Sequence, residues 1–182
     1  GDVDLLIPRG SNAFVKHVMN NTSIPVMGHA DGICSVYVDK CADLSLAVKV
    51  VTDSKVQYPA ACNAAETILI HEDVYKEFLP LLKASLDSYG VVIHGDDKTR
   101  EVIEAIPATD ADYHTEYLAL ECAIKVVSSI DEALDHIASH GSHHTDAIIT
   151  KDKDAESRFF REVDSADVFS NCSTRFADGF RF

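Results

Sequence analysis

Ala123-Ile124-Lys125-Val126-Val127-Ser128-Ser129-Ile130-Asp131-Glu132 reads as a strand that feeds straight into a helix. Ala123–Val127 is rich in β-branched residues, which suit a pleated surface. Ser129-Ile130-Asp131-Glu132 has the spacing of a capping box, with Ser129 as cap and Glu132 reaching back. The helix is predicted to run to His140 and to stop at Gly141, and Ala147–Thr150 offers the next strand. Outward from this unit the same alternation repeats. Further strands are expected at Asp4–Ile7, Ser35–Val38, Thr67–Ile70, Val91–Ile93 and Ala166–Phe169. Leu44–Gln57 carries apolar residues at the helical period. Asp73–Tyr89 reads as a helix kinked at Pro80 and ended by Gly90, and Asp152–Val163 as one with Ala155, Phe159 and Val163 on its core face. Strands alternating with helices predict an α/β fold in three layers, a largely parallel sheet with helices on both faces. Pro107–Thr115, polar and acidic, is the expected flexible stretch.

The net charge of −14 is spread along the chain, which disfavours nucleic acid. An anionic small molecule needs a local Arg or Lys to reverse that field. No run approaches the roughly 18 apolar residues of a membrane span, and the acidic N-terminus does not read as a signal or transit peptide. Five cysteines without a CxxC spacing argue against a disulfide framework and for a reducing compartment, the cytoplasm by default. No Gly-rich dinucleotide fingerprint precedes a helix.

Tyr58-Pro59-Ala60-Ala61-Cys62-Asn63-Ala64-Ala65-Glu66 surrounds one thiol with little bulk, so a substrate carbon could approach the sulfur. Taken alone, this pattern fits a buried inert cysteine as well as a nucleophile. The segment resembles the nucleophile stretch of the γ-glutamyl phosphate reductases, a family that also forms the C-terminal half of pyrroline-5-carboxylate synthases. Leu5–Ser11, Ile24–Cys34, His140–Asp146, Val163–Ala166 and Asn171–Gly179 match the same family in the same order.

The resemblance implies an aldehyde dehydrogenase-like catalytic domain over residues 24–182, with residues 1–23 as a fringe of the cofactor domain and its connection. Both ends read as interior to a longer chain, so the fragment is expected to be inactive alone. The implied reaction is NADPH-dependent reduction of L-glutamyl 5-phosphate to glutamate 5-semialdehyde in proline biosynthesis, with most of the NADPH-binding domain outside this chain. Cys62 would form the thioester, and the backbone N–H of Cys62 or Asn63 would support the oxyanion. Arg175, with Ser173 and Thr174, is the first choice for the substrate's anionic groups, and Arg9 and Lys55 follow. His29 stands where hydrolytic relatives carry a water-activating glutamate, beside the substrate. Glu116 aligns with the glutamate that holds the nicotinamide ribose, and Gly10 and Ser11 with a turn approaching the cofactor. The parent enzyme is expected to be a homo-oligomer, with fusion to a glutamate 5-kinase as one arrangement.

His136, His140, His143 and His144 crowd together, but Gly141-Ser142 breaks the helix between them, and no Cys or acid completes a ligand set. No metal is expected. Two rival readings stand: a reductase of the same superfamily acting on a different acyl phosphate, and a non-catalytic assembly or regulatory module.

Overall fold

The structure is a computed structural model that describes residues 2–10, 12–28 and 31–177. It divides into two compact units, residues 1–31 and 32–182. In the first, helix α1 (Asn12–Asn20) buries Val15. Asp4–Ile7, expected as a strand, contributes only a single parallel bridge, Leu6 to Val26.

The second unit is built on seven parallel strands: β1 (Cys34–Val38), β2 (Ala65–His71), β3 (Val92–Gly95), β4 (Ile106–Pro107), β5 (Glu121–Val127), β6 (Thr145–Ile149) and β7 (Asp167–Ser170). Their order is β4-β3-β5-β2-β1-β6-β7. Every residue of β1, β2 and β6 is buried, as strands covered on both faces must be. Alternate residues serve two cores. Val36, Val38, Ile68, Ile70 and Ile149 pack with helices α2 (Leu44–Val56) and α3 (Tyr75–Asp87). Tyr37, Leu69 and Ile148 face α5 (Ile130–His140) and α6 (Lys153–Glu162). The three-layer α/β prediction is met.

Local chemistry sets the helix limits. Asp43 caps α2 by accepting from the Leu46 N–H at 3.2 Å. Ser129 Oγ accepts from Glu132 N at 3.2 Å, and the Glu132 carboxylate returns to the Ser128 N–H at 2.8 Å, one residue earlier than the usual capping box. α3 is assigned as one helix through Pro80, whose side is exposed, while Phe78, Leu79, Leu82 and Leu86 are fully buried. A short α4 (Asp97–Arg100) and strand β4 went unforeseen, being too brief for a periodic signal. Pro107–Thr115, expected to be flexible, instead contains a 3-10 turn over Asp110–His114, closed by a Thr109–Asp112 capping box. No helix among the described residues is long and apolar enough to cross a membrane.

Phe78→Ala should lower unfolding free energy by about 3–5 kcal/mol in urea titration, whereas Phe160→Ala, at a half-exposed ring, should change it by less than about 0.5 kcal/mol.

Candidate active site

Cys62 lies between the end of α2 and the start of β2, on a loop tightened by two turns. Ala61 N donates to Tyr58 O at 3.1 Å and Ala64 N to Ala61 O at 2.9 Å. The thiol-bearing residue is exposed, unlike Cys34 and Cys122. Burial pushes both of those thiols up, Cys122 to about 12, which keeps them protonated and inert. Neither the Cys62 nor the Asn63 N–H meets an acceptor among the described residues, and Asn63 Oδ1 is buried without a partner. The loop thus offers an accessible sulfur beside two available backbone donors.

The underside of the loop is crowded. A Cβ on Gly32 would stand 1.7 Å from the Cys62 carbonyl oxygen, so only glycine admits this approach. Cys34 Sγ donates to the same oxygen at 3.2 Å. Three side chains hold the chain in this position by accepting backbone N–H groups at the entrance to β1. Glu116 Oε1 takes Gly32 N at 2.8 Å, Ser142 Oγ takes Ile33 N at 2.8 Å, and Asp146 Oδ1 takes Ser35 N at 2.7 Å. Gly32, Ser142 and Asp146 lie inside motifs the sequence singles out, but nothing in the motifs assigned them this work.

Arg175 is the predicted anion contact that the fold brings to the Cys62 loop. Only 8% exposed, it donates from Nε to Gln57 Oε1 at 3.1 Å and stands 5.8 Å from the Tyr58 ring centroid. Ser173 and Thr174 are buried instead around Ser54 of α2. Ser54 Oγ donates to Ser173 Oγ at 3.2 Å and accepts from Thr174 N at 3.2 Å. They brace the segment that presents Arg175.

Lys55 is a correction. It was expected to reach substrate, but its side chain is fully buried, with Nζ 2.5 Å from Glu66 Oε2. Burial pushes Glu66 up to about 7 against the pull of that ammonium. A lysine so enclosed is a strut between α2 and β2, since its desolvated charge is already matched. Glu116 commits one carboxylate oxygen to Gly32, and the other has no partner among the described residues. Gly10, with φ near 149°, and the exposed Arg9 belong to the first unit. His29 and Ser11 lie outside the described residues.

The four crowded histidines do not converge. His143 turns to the Asp164 carbonyl at 2.6 Å and His144 to Thr145 Oγ1 at 2.8 Å. His136 is buried, which with neighbouring His140 lowers it to about 3 and keeps it neutral. His140 instead meets Asp110, 3.2 Å away, and stacks on His114. Those partners come from the 3-10 turn, which residue spacing around His140 could not reveal.

A cleft of about 530 Å³ opens at the opposite end of the sheet, beyond the carboxyl ends of β1 and β2. Open α/β sheets ordinarily take ligands at that end. Here Asp39, Glu72, Asp73, Asp131, Asp152 and Asp154 outnumber Lys40 and Arg158 in the lining, so the net charge disfavours an anionic substrate.

No family model matches the chain. Its sequence is 57% identical over 180 residues to a γ-glutamyl phosphate reductase of Ruminiclostridium cellulolyticum, covering 99% of this chain and 42% of that protein. A Synechococcus protein of the same name is 55% identical over 183 residues, covering 100% of this chain and 40% of the relative. The chain therefore spans about two fifths of the length of these relatives. The crystal structure of γ-glutamyl phosphate reductase from Thermotoga maritima superposes with a TM-score of 0.95 at 43% identity, over 99% of this chain and 44% of that one. Lactaldehyde dehydrogenase from Escherichia coli, at a TM-score of 0.78 and 17% identity over 94% of this chain and 46% of its own, shares the fold. The resemblance carried by the motifs is borne out along the whole chain.

Iodoacetamide under native conditions should modify Cys62 first, ahead of Cys41, which is also exposed and controls for exposure alone; peptide mapping reads the order. Cys34 and Cys122 should react only on unfolding. Lys55→Met should cost about 3–5 kcal/mol of stability by stranding the Glu66 charge, and adding Glu66→Leu should return much of it.

Proposed function

We propose that this chain is the catalytic part of a γ-glutamyl phosphate reductase, converting L-glutamyl 5-phosphate to L-glutamate 5-semialdehyde through a thioester on Cys62. The observation that carries this reading is an exposed cysteine among alanines, whose own and Asn63 N–H groups meet no acceptor among the described residues, on a loop that Arg175 contacts through Gln57 and Tyr58. Residues 24–182 are the catalytic domain and residues 1–23 a fringe of the cofactor domain. The cofactor is a nicotinamide dinucleotide, NADPH in preference to NADH, the parent protein is cytoplasmic, and its assembly is homo-oligomeric.

The chemistry begins with loss of the Cys62 proton to solvent. The thiolate attacks the acyl carbon, and negative charge gathers on the carbonyl oxygen. The Cys62 or Asn63 N–H stabilises that charge, and one well-placed donor of this kind is worth about 10²–10³ in rate. The C–O bond to phosphate then breaks and phosphate leaves with the electron pair, forming the thioester. Arg175 holds an anionic group of the substrate, matching a planar fork to phosphate or carboxylate. When bound, a nicotinamide cofactor would supply the hydride that takes the thioester to a thiohemiacetal; Glu116 would hold it through the carboxylate oxygen not committed to Gly32, and the resemblance gives Gly10 and Ser11 a turn approaching it. Collapse of the thiohemiacetal releases the aldehyde and returns the Cys62 thiolate.

In the full-length enzyme, Cys62→Ala should reduce phosphate-dependent oxidation of glutamate semialdehyde by about 10⁴-fold or more. Wild-type turnover in that variant would end the covalent mechanism.

A further inference from the structure

The proposed reaction leaves one group of ligand-type side chains unused. Asp110 and His114 stand at the two ends of the 3-10 turn, and His140 closes the last turn of α5. Their carboxylate and ring-nitrogen atoms lie within 4.8 Å of one another. Asp110 reaches both rings: one carboxylate oxygen is 3.2 Å from His140 Nε2 and the other 3.7 Å from His114 Nε2. None of the three was marked as a site by its sequence spacing, because two segments 26 residues or more apart supply them.

The rings are held as ligating imidazoles are held. His140 stacks on His136 at 4.1 Å between centroids and on His114 at 4.4 Å. Its Nδ1 lies 3.1 Å from the His136 carbonyl oxygen and 2.8 Å from Ser139 Oγ. That hydroxyl donates its own proton to the Asp135 carbonyl. Both neighbours of Nδ1 are therefore acceptors, so Nδ1 carries the proton. Nε2 faces Asp110 Oδ1 at 3.2 Å, a separation at which the two atoms can share one cation. A backbone-anchored Nδ1–H with Nε2 directed outward is also the arrangement that orients a metal-binding histidine.

We propose that Asp110, His114 and His140 bind one divalent transition-metal ion of the zinc type. Two imidazole nitrogens and one carboxylate oxygen favour Zn²⁺, Co²⁺ or Ni²⁺ over the all-oxygen ions Mg²⁺ and Ca²⁺. Bonds of about 2.0–2.2 Å require the donor atoms to close to roughly 3.4 Å from one another. Asp110, 83% exposed, and His114, 47% exposed, have the freedom to make that adjustment. His140 is the fixed member. Three protein ligands leave a position for water, and the bound ion fastens the 3-10 turn to α5, two residues ahead of the Glu116 that grips Gly32.

The test is titration of the untagged 182-residue protein with CoCl₂, followed by visible absorption. It is run in a Cys41→Ser, Cys62→Ser background so that neither exposed thiol can supply the site. A one-to-one complex with visible d–d bands is expected, along with a rise in melting temperature on adding ZnSO₄. His114→Ala, His140→Ala and Asp110→Asn should each weaken binding by about tenfold or more, while His143→Ala, outside the group, should leave it unchanged. All but His140 are exposed, so loss of folding will not mask the result. Binding that needs millimolar metal, exceeds one ion per chain, or survives these three substitutions would mean an adventitious ion only and would overturn the proposal. The titration reads no turnover, so its failure leaves the Cys62 chemistry standing, and failure of that chemistry leaves the metal site standing.

Discussion

Two opposite charges, sealed from water beneath the Cys62 loop, set the geometry of everything above them. Lys55 comes from the last turn of α2 and Glu66 from the second residue of β2, so their contact clamps both ends of the intervening loop. The second Glu66 oxygen accepts the Leu118 N–H at 3.3 Å, drawing in the segment that carries Glu116. Burying such a pair is costly, and an apolar pair of similar volume would serve stability as well or better. What the charges add is direction. Each has one acceptable partner, and the helix and strand can meet in one register only.

The second constraint is the missing side chain at Gly32. Backbone can pass within contact of the Cys62 carbonyl only because nothing projects there, and three acceptors keep it in place. Glu116 and Ser142 come from the connections that lead into β5 and β6, and Asp146 from β6 itself, yet each takes an N–H from the same four-residue stretch. Asp146 does so while fully buried. Burial lifts it to about 6, opposed by the Ser165 hydroxyl and the Ser35 N–H that bond to it. Small side chains surround the sulfur, and polar side chains hold the Gly32–Ser35 backbone on which its loop rests.

How far the sequence could be read depended on the length scale of each interaction. Ser129, Glu132 and Gly141 bound a helix through neighbours a few residues away, so α5 was legible to the residue. β2 and β6 were equally plain, because their apolar runs Ile68–Ile70 and Ala147–Ile149, buried on both faces, leave no alternation to misread. Asp4–Ile7 has the composition of a strand but pairs through Leu6 alone, and composition does not count partners. Lys55 misled for a related reason: a cation near a nucleophile suggests anion binding until its partner 11 residues on is seen beside it. Ser173 and Thr174 were grouped with Arg175, but the Ser173 hydroxyl and the Thr174 N–H meet Ser54, some 120 residues away. The meeting of His140 with Asp110 and His114 was closed to any reading of spacing.

The contact between Arg175 and Gln57 spans 118 residues of chain, and the Cys62 loop has its cation only after that span is closed. A ribosome would have to finish β7 and the turn beyond it before the thiol emerging more than a hundred residues earlier acquired its surroundings. Parallel pairings of this kind also form slowly, since each must first pay for closing a long loop. The sulfur is consequently synthesised long before the cation that completes its surroundings, and it waits for the final turn of the chain before it can be of use.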